Sequence, residues 1–212
     1  MWRDVFDRNP YGTNCWLLAA DASDEAVVVD PGFEPAAVHA LLEAAGRRPA
    51  AVLLTHAHID HAMAAGDFSG DEVPVFVHPA DALSFSDPVA WGAGFDNPLH
   101  PVKDLRTITD GETLRLAGLA IEVMHTPGHT PGHCIFRTDA DDALLLSGDL
   151  VFAGAIGRSD FPNSSPTDMA ASLRRFLTLP DGLPVLPGHG PTTDVGHERA
   201  SNPFLRDLGA WN

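Results

Sequence analysis

AAVLLTHAHIDH, residues 50–61, is the stretch whose reading decides the fold. Its first half, AAVLLT, is an apolar run of strand length. Its second half places three histidines and one aspartate within six residues. His56 and His58 are two apart, so in an extended segment their rings point the same way. Asp60 and His61 follow where the chain must turn into a helix, and that turn aims them at a second point in space. Burying such a cluster is costly without a cation to satisfy it. Imidazoles and a carboxylate at this density suit Zn²⁺, Fe²⁺ or Mn²⁺ rather than Ca²⁺.

Three further segments repeat the design of an apolar strand that ends in a polar loop holding a ligand-type residue. LAIEVMHTPG leads into His129, ALLLSG into Asp149 and LPVLPG into His189. Ligands at strand ends are what a site at the carboxyl edge of a sheet requires. Gly128, Gly148 and Gly188 each directly precede a ligand, where a residue without Cβ allows close approach and unusual backbone angles. Pro127 and Pro187 stiffen the same turns.

The rest of the chain reads as alternating strands and helices. Strands are expected over Cys15–Ala20 and Ala26–Asp30, then a helix over Pro35–Ala45 with Gly46 just past its end. VPVFVH is another strand. Residues 84–103 carry no clear period and read as a long loop, in which Trp91 and Phe95 either form a lid or pack the loop down. Further strands are LRL, LAIEVMH, HCIFR and ALLLS. SSPTDMAASLRRFL reads as a helix with Thr167 as N-cap and Met169, Leu173, Phe176 and Leu177 on one face. A last strand, LPVLPG, precedes a short helical or irregular tail. Two groups of strands, each followed by a helix, suggest an α/β fold. The expected architecture is a four-layer αββα sandwich of two mixed β-sheets with helices outside. No repeat or linker divides residues 1–212, which are expected to form one domain.

Composition narrows the function. The 212 residues are 44% hydrophobic and 20% charged, enough for a sizeable core. The net charge of −16 argues against nucleic acid and anionic membranes as partners, since both call for basic patches. No apolar run is long enough to span a bilayer, and the first residues lack a signal-peptide core, so a cytoplasmic protein is expected. Cys15 and Cys134 lie in apolar strand-like runs and are expected to be buried free thiols. Neither Ser147 nor Ser159 lies in a G-x-S-x-G elbow, which disfavours a serine hydrolase.

HAHIDH, TPGHTPGH, SGDLVF and PGHGP, in this order and spacing, resemble the metallo-β-lactamase superfold family. Within it the chain is similar to the glyoxalase II-like (hydroxyacylglutathione hydrolase-like) enzymes, especially their short bacterial form. The resemblance runs from VVVDPG to ERASNPFL. It implies that His56, His58 and His129 hold one divalent metal, and Asp60, His61 and His189 a second. Asp149 would bridge them together with a water or hydroxide. Zinc is the first expectation, with iron or manganese as alternatives. Asp30 would stand behind the His-rich loop and orient a ligand imidazole. His133 is expected beside the ligands rather than among them, and His125 near the site but off the metal. His39, His78, His100 and His197 have no ligand spacing. Arg158, in GAIGRSDFP, either contacts substrate or pairs with Asp160 to shape the loop.

The activity implied is hydrolysis of a small-thiol thioester of the S-D-lactoylglutathione type, with Asp60 assisting proton movement. The residues lean the same way. No general acid is evident beyond the ligands, and a thiol with a pKa near 8.5 leaves without one more readily than an amine does. One departure is that larger glyoxalase II proteins carry a C-terminal helical domain with basic and tyrosine contacts to glutathione. This chain stops at Asn212 and has Tyr11 as its only tyrosine, so a weaker glutathione contact or another thiol carrier is expected. The alternatives are a mono-iron persulfide dioxygenase, which GRSDF resembles, and a lactone or β-lactam hydrolase on the same site. A non-catalytic binding protein is disfavoured by the complete ligand set. The oligomeric state is left open.

Overall fold

The computed structural model describes residues 1–70, 73–86, 99–139, 142–206 and 208. Its first sheet runs in chain order through β1 (Trp2–Phe6), β2 (Cys15–Ala19), β3 (Glu25–Val29), β4 (Arg48–Leu53), β5 (Val75–Val77) and β6 (Leu105–Thr107). β1 to β3 pair antiparallel and β3 to β6 parallel, so the sheet is mixed. The second sheet contains β7 (Thr113–Leu116), β8 (Leu119–His125), β9 (Cys134–Thr138) and β10 (Leu145–Gly148). A small hairpin follows, β11 (Val151–Phe152) and β12 (Ala155–Ile156). β13 (Pro184–Pro187) then joins β10 in parallel, and β14 (Thr193–Asp194) closes that edge.

The alternation of side chains along the second sheet explains the layers. Ile121 and Val123 of β8, Cys134 and Phe136 of β9 and Leu146 of β10 pack into one core with Leu17, Val28 and Val52 of the first sheet. The intervening Met124, Ile135 and Leu145 pack into a second core against Met169, Leu173 and Phe176 of α5 (Pro166–Phe176). Successive strand residues point to opposite faces, so one sheet serves both cores. In the first sheet β2 is buried along its whole length and β3 from Ala26 onward, as strands covered on both faces must be. Val38 and Leu42 of α1 (Pro35–Ala44) join that core. The architecture is the four-layer αββα sandwich.

Several local expectations change. The N-cap of α5 is Ser165, whose hydroxyl accepts from the Asp168 amide at 3.2 Å, and not Thr167. Pro166 takes the first helical position, where its missing N–H costs nothing, and that shifts the cap one residue back. Leu177 is the C-cap of α5 and half-buried rather than part of the buried face. Gly46 lies past the end of α1 with φ +66°, the left-handed geometry that ends a helix. β1 and β6 were not foreseen. The loop read over 84–103 begins in a 3₁₀ turn at Leu83–Phe85, and Trp91 and Phe95 lie outside the described residues. Cys15 and Cys134 are buried free thiols. No helix among the described residues is long and apolar enough to cross a membrane.

The two sheets are stitched together where the ligand loops leave them. The Cys134 amide donates to the Thr55 carbonyl at 2.7 Å, and the Asn14 amide to the Gly188 carbonyl at 2.7 Å. Asn14 Nδ2 and Trp16 Nε1 each donate to the Pro187 carbonyl at 2.9 Å. These bonds fix the ends of β4, β9 and β13 at a common edge.

Candidate metal centre

Beyond β4 the chain bends at Thr55 and runs through His56 to His58, whose backbone is extended and which is the N-cap of α2 (Ile59–Ala62). This segment brings both rings to one side, and His56 Nε2 lies 3.1 Å from His58 Nδ1. The first turn of α2 carries Asp60 and His61 to the other side. The loop after β8 delivers His129, whose Nε2 is 2.9 Å from His58 Nδ1. The loop after β13 delivers His189, with Nε2 3.3 Å from His61 Nε2 and 3.2 Å from Asp60 Oδ2.

Asp149 follows β10, the strand between β9 and β13, and lies between the two sets. Its Oδ2 is 3.4 Å from His129 Nε2, and its Oδ1 is 3.3 Å from His61 Nε2. Three groups of residues are thus able to converge on a cation: His56, His58 and His129; Asp60, His61 and His189; and His56, His61 and Asp149, which joins the first two. All seven ligand-type residues read from the sequence are brought together.

Asp149 Oδ1 is buried and makes no well-aligned hydrogen bond among the described residues, with His61 Nε2 3.3 Å away. An orphaned carboxylate oxygen in the interior is destabilising unless a cation or a donor satisfies it. Facing imidazole nitrogens at 2.9–3.3 Å pose the same problem, because lone pairs there need something positive between them. The donor set therefore fits two divalent ions of the zinc, iron or manganese kind.

The far nitrogens fix which ring nitrogen faces inward. His129 Nδ1 donates to the Arg158 carbonyl at 2.7 Å, which leaves the Nε2 lone pair inside. Asp30 Oδ2 accepts from His61 Nδ1 at 3.0 Å and from the Thr55 hydroxyl at 2.7 Å. That hydroxyl in turn accepts from His56 Nδ1 at 3.0 Å. One carboxylate thus sets the tautomer of a ligand in each set. Asp30 adopts φ +54°, a region Asp tolerates better than most residues, and its Oδ1 accepts the Thr55 amide at 2.8 Å. His133 is buried beside the ligands: its Nδ1 meets the Thr126 hydroxyl at 2.9 Å and its Nε2 accepts the Asp149 amide at 3.0 Å. Both of its ring nitrogens are therefore occupied.

Electrostatics divide the site. Burial, with neighbouring imidazoles, lowers the pKa of His56 far below the ordinary value and that of His58 to about 3; burial also lowers His129. These rings are neutral, as ligands must be. In the second set burial opposes charge, but Asp60, Asp149 and Asp30 outweigh it and hold His61 well above its ordinary value. His189 is raised against burial by Asp60 and Asp149. Asp60 falls to about 2 despite burial, because His61 and His189 face it. The carboxylates of the second set thus favour positive charge there, while the first set favours neutral rings.

The other sequence candidates stand outside. His125 stacks on His78 with centroids 3.9 Å apart and rings 7° from parallel, and its Nε2 meets the Pro131 carbonyl. His39 stacks on Phe68, His100 contacts Asp67, and His197 lies in the first turn of α6 (Val195–Ser201). Arg158 makes the expected pair with Asp160, a two-point ion pair at 2.8 and 3.0 Å with both side chains exposed, and lies over the Phe161 ring. Phe161 stands edge-on to His58 and His129, and Phe152 to His189, so aromatic rings flank both sets.

Besides the Thr55 hydroxyl, three supports were not read from the sequence. The Thr13 hydroxyl donates to Asp60 Oδ2 at 3.1 Å. The Arg158 carbonyl holds His129. Asp81, buried on α4 (Pro79–Ala82), accepts hydrogen bonds from both ligand loops. Burial raises its pKa to about 6, against the pull of its three donors. A lone Asp near a helix start reads as an ordinary first-turn acid, and a backbone carbonyl leaves no trace in residue type.

Against known proteins, the model of the metallo-beta-lactamase superfamily matches residues 8–198. An uncharacterized protein of Mycobacterium tuberculosis is 39% identical over 92% of this chain and 93% of its own. The hydroxyacylglutathione hydrolase GloC of Haemophilus influenzae is 33% identical over 95% of this chain and 97% of its own. Among solved structures, BLEG-1, a B3 metallo-beta-lactamase, has a TM-score of 0.87 at 33% identity, covering 96% of this chain and 99% of the other. TTHA1623 in a di-iron-bound form has a TM-score of 0.82 at 38% identity, covering 95% and 99%.

Proposed function

Because the chain belongs to the metallo-beta-lactamase superfamily of metallo-hydrolases, we propose that it is a binuclear hydrolase of small-thiol thioesters of the S-D-lactoylglutathione type. The observation that carries this reading is the shared Asp149, which turns Oδ2 toward His129 of one set and Oδ1 toward His61 and His189 of the other. His56, His58 and His129 would hold one ion; Asp60, His61 and His189 the other. Two such ions supply Lewis acidity and a water acidified to a pKa of about 7. Asp60, hydrogen-bonded by Thr13 and facing solvent more than Asp149 does, is the carboxylate placed to accept a hydrogen bond from a water and so assist proton movement. Asp30, through His61 and Thr55, keeps the imidazole lone pairs inward. Phe161 and Phe152 flank the two sets with apolar rings, and Arg158 would meet a carboxylate of the thiol carrier only by exchanging Asp160 for it.

Thioester chemistry is supported by the likeness to GloC and by the leaving group, since a thiolate departs without a dedicated acid. The likeness to BLEG-1 supports a second reading, opening of a β-lactam or lactone ring on the same residues. A panel assay on the metal-loaded protein separates them, with released thiol read for S-D-lactoylglutathione and ring opening for a cephalosporin and a lactone. Thioester cleavage that is lost in His58→Ala and Asp149→Ala is expected. One iron per chain, with oxygen consumed on glutathione persulfide and no thioester cleaved, would overturn the hydrolase reading.

A further inference from the structure

Asp81 ties together the two loops that carry the first ligand set. Its Oδ2 accepts from the Ala57 amide at 3.1 Å and from the Thr130 hydroxyl at 2.8 Å, and its Oδ1 accepts from the Gly132 amide at 2.6 Å. Ala57 sits between His56 and His58, and Thr130 directly follows His129. Gly132 precedes His133, whose ring holds the Asp149 amide. The Asp81 side chain is fully buried and reaches these loops from a different element, α4. The fit is close enough to dictate residue 132: a Cβ there would stand 2.4 Å from Asp81 Oδ1.

We infer that Asp81 is the positioning residue of the first metal set, holding His56, His58 and His129 in one geometry through the backbone on either side of them. The inference rests on the binuclear reading of the site. The second set has a carboxylate in direct contact with a ligand, Asp30 on His61, which reaches the first set only through the Thr55 hydroxyl. The two carboxylates divide the work. Asp30 sets ring tautomers through side chains, and Asp81 sets the spacing of two loops through amides.

Asn is nearly isosteric but has one acceptor oxygen where three donors converge. Whichever way its amide turns, an N–H faces either the Ala57 or the Gly132 amide, and that amide loses its acceptor. Asp81→Asn should therefore loosen the spacing of His58 and His129 while His61 and His189 stay in place. Thr130→Val removes a single hydrogen bond at nearly constant volume and guards against an Asp81 variant that fails to fold.

The test is titration of the metal-free protein with Zn²⁺ against a chromogenic chelator, with the histidine ring signals followed by NMR to assign each step. In Asp81→Asn the step reported by His58 and His129 should weaken about 10- to 100-fold, the range for lost support behind a metal ligand. The step reported by His61 and His189 should weaken less, since Asp81 reaches that set only through Gly132, His133 and the shared Asp149. Thr130→Val should weaken the same step about tenfold, as loss of one buried hydrogen bond to a charged group does. Hydrogen exchange at the Ala57 and Gly132 amides should speed up in the metal-free Asp81→Asn protein. Equal weakening of both steps, or none, would make Asp81 a packing residue and overturn the inference while leaving the binuclear reading intact. A wild-type protein that takes no Zn²⁺ at His58 and His129 would overturn both.

Discussion

Asp30 and His61 form a buried carboxylate–imidazole pair, 3.0 Å from Oδ2 to Nδ1, and the Thr55 hydroxyl at 2.7 Å extends the same oxygen to His56. A carboxylate in this place requires Nδ1–H on His61 and leaves Nε2 free to bind. Asn in its place reverses the requirement. With its oxygen on the Thr55 amide, its NH₂ faces His61 Nδ1, and the ring proton moves to Nε2, toward the ion. Asn tolerates the left-handed backbone as Asp does, so the substitution isolates this chemistry from strain. Asp30→Asn should cost about 10- to 100-fold in metal affinity, more at the His61 set than at the His56 set. Chelator competition measures it.

His78 gives the native state a defined pH response. Its ring is half-buried and stacked on His125; burial first and His125 second lower its pKa from 6.5 to about 4, with Asp110 pulling the other way. Between pH 6.5 and 4 the unfolded chain then binds more protons than the native one at this position. The His78 contribution is fully present above pH 6.5 and is lost as the pH falls through that window. Because the ring is half open to solvent, the effect should be about 1 kcal/mol rather than the full shift converted. Asp81, raised to about 6, gives the opposite slope in an overlapping window, so the comparison must be with a variant. His78→Asn keeps an acceptor for the Ala80 amide and removes the titration. Urea unfolding at pH 7 and pH 5 should show a smaller loss of stability in the variant than in wild type.

Much of the site was legible because its chemistry is carried by side chains at strand ends. His129, Asp149 and His189 each follow an apolar strand and a glycine, a pattern local to about ten residues. Beyond Asp30 and His133 the positioning layer was not legible, since Thr13 reaches Asp60 across 47 positions, Asp81 acts on backbone amides, and Arg158 contributes a carbonyl. In the fold, β8 shows its alternation plainly, with Ile121 and Val123 facing one core and Met124 the other. β1 does not, because Arg3 and Asp4 interrupt five residues that are mostly half-exposed. β6, β11, β12 and β14 have two or three residues each, too few for any period to declare itself.

Gly188 tests whether Asp149 must stay where it is. A Cβ at this position would stand 2.4 Å from Asp149 Oδ1 and 2.8 Å from His61 Cε1. Gly188 is not among the glycines with positive φ, so alanine is acceptable to the backbone and the clash falls on the shared carboxylate. Asp149 can relieve it only by rotating away from the position between the two sets. Gly188→Ala should thus keep its fold by circular dichroism while both metal affinities fall, and turnover should drop on the order of 100-fold, as displacement of a catalytic group by about 1 Å does. Gly190→Ala, two residues on, is the control. Its φ is +75° and a Cβ there would meet open space, so it should lower stability by about 1 kcal/mol and leave metal binding alone. If Gly188→Ala bound both ions with wild-type affinity, Asp149 would not be the group that joins the two sets.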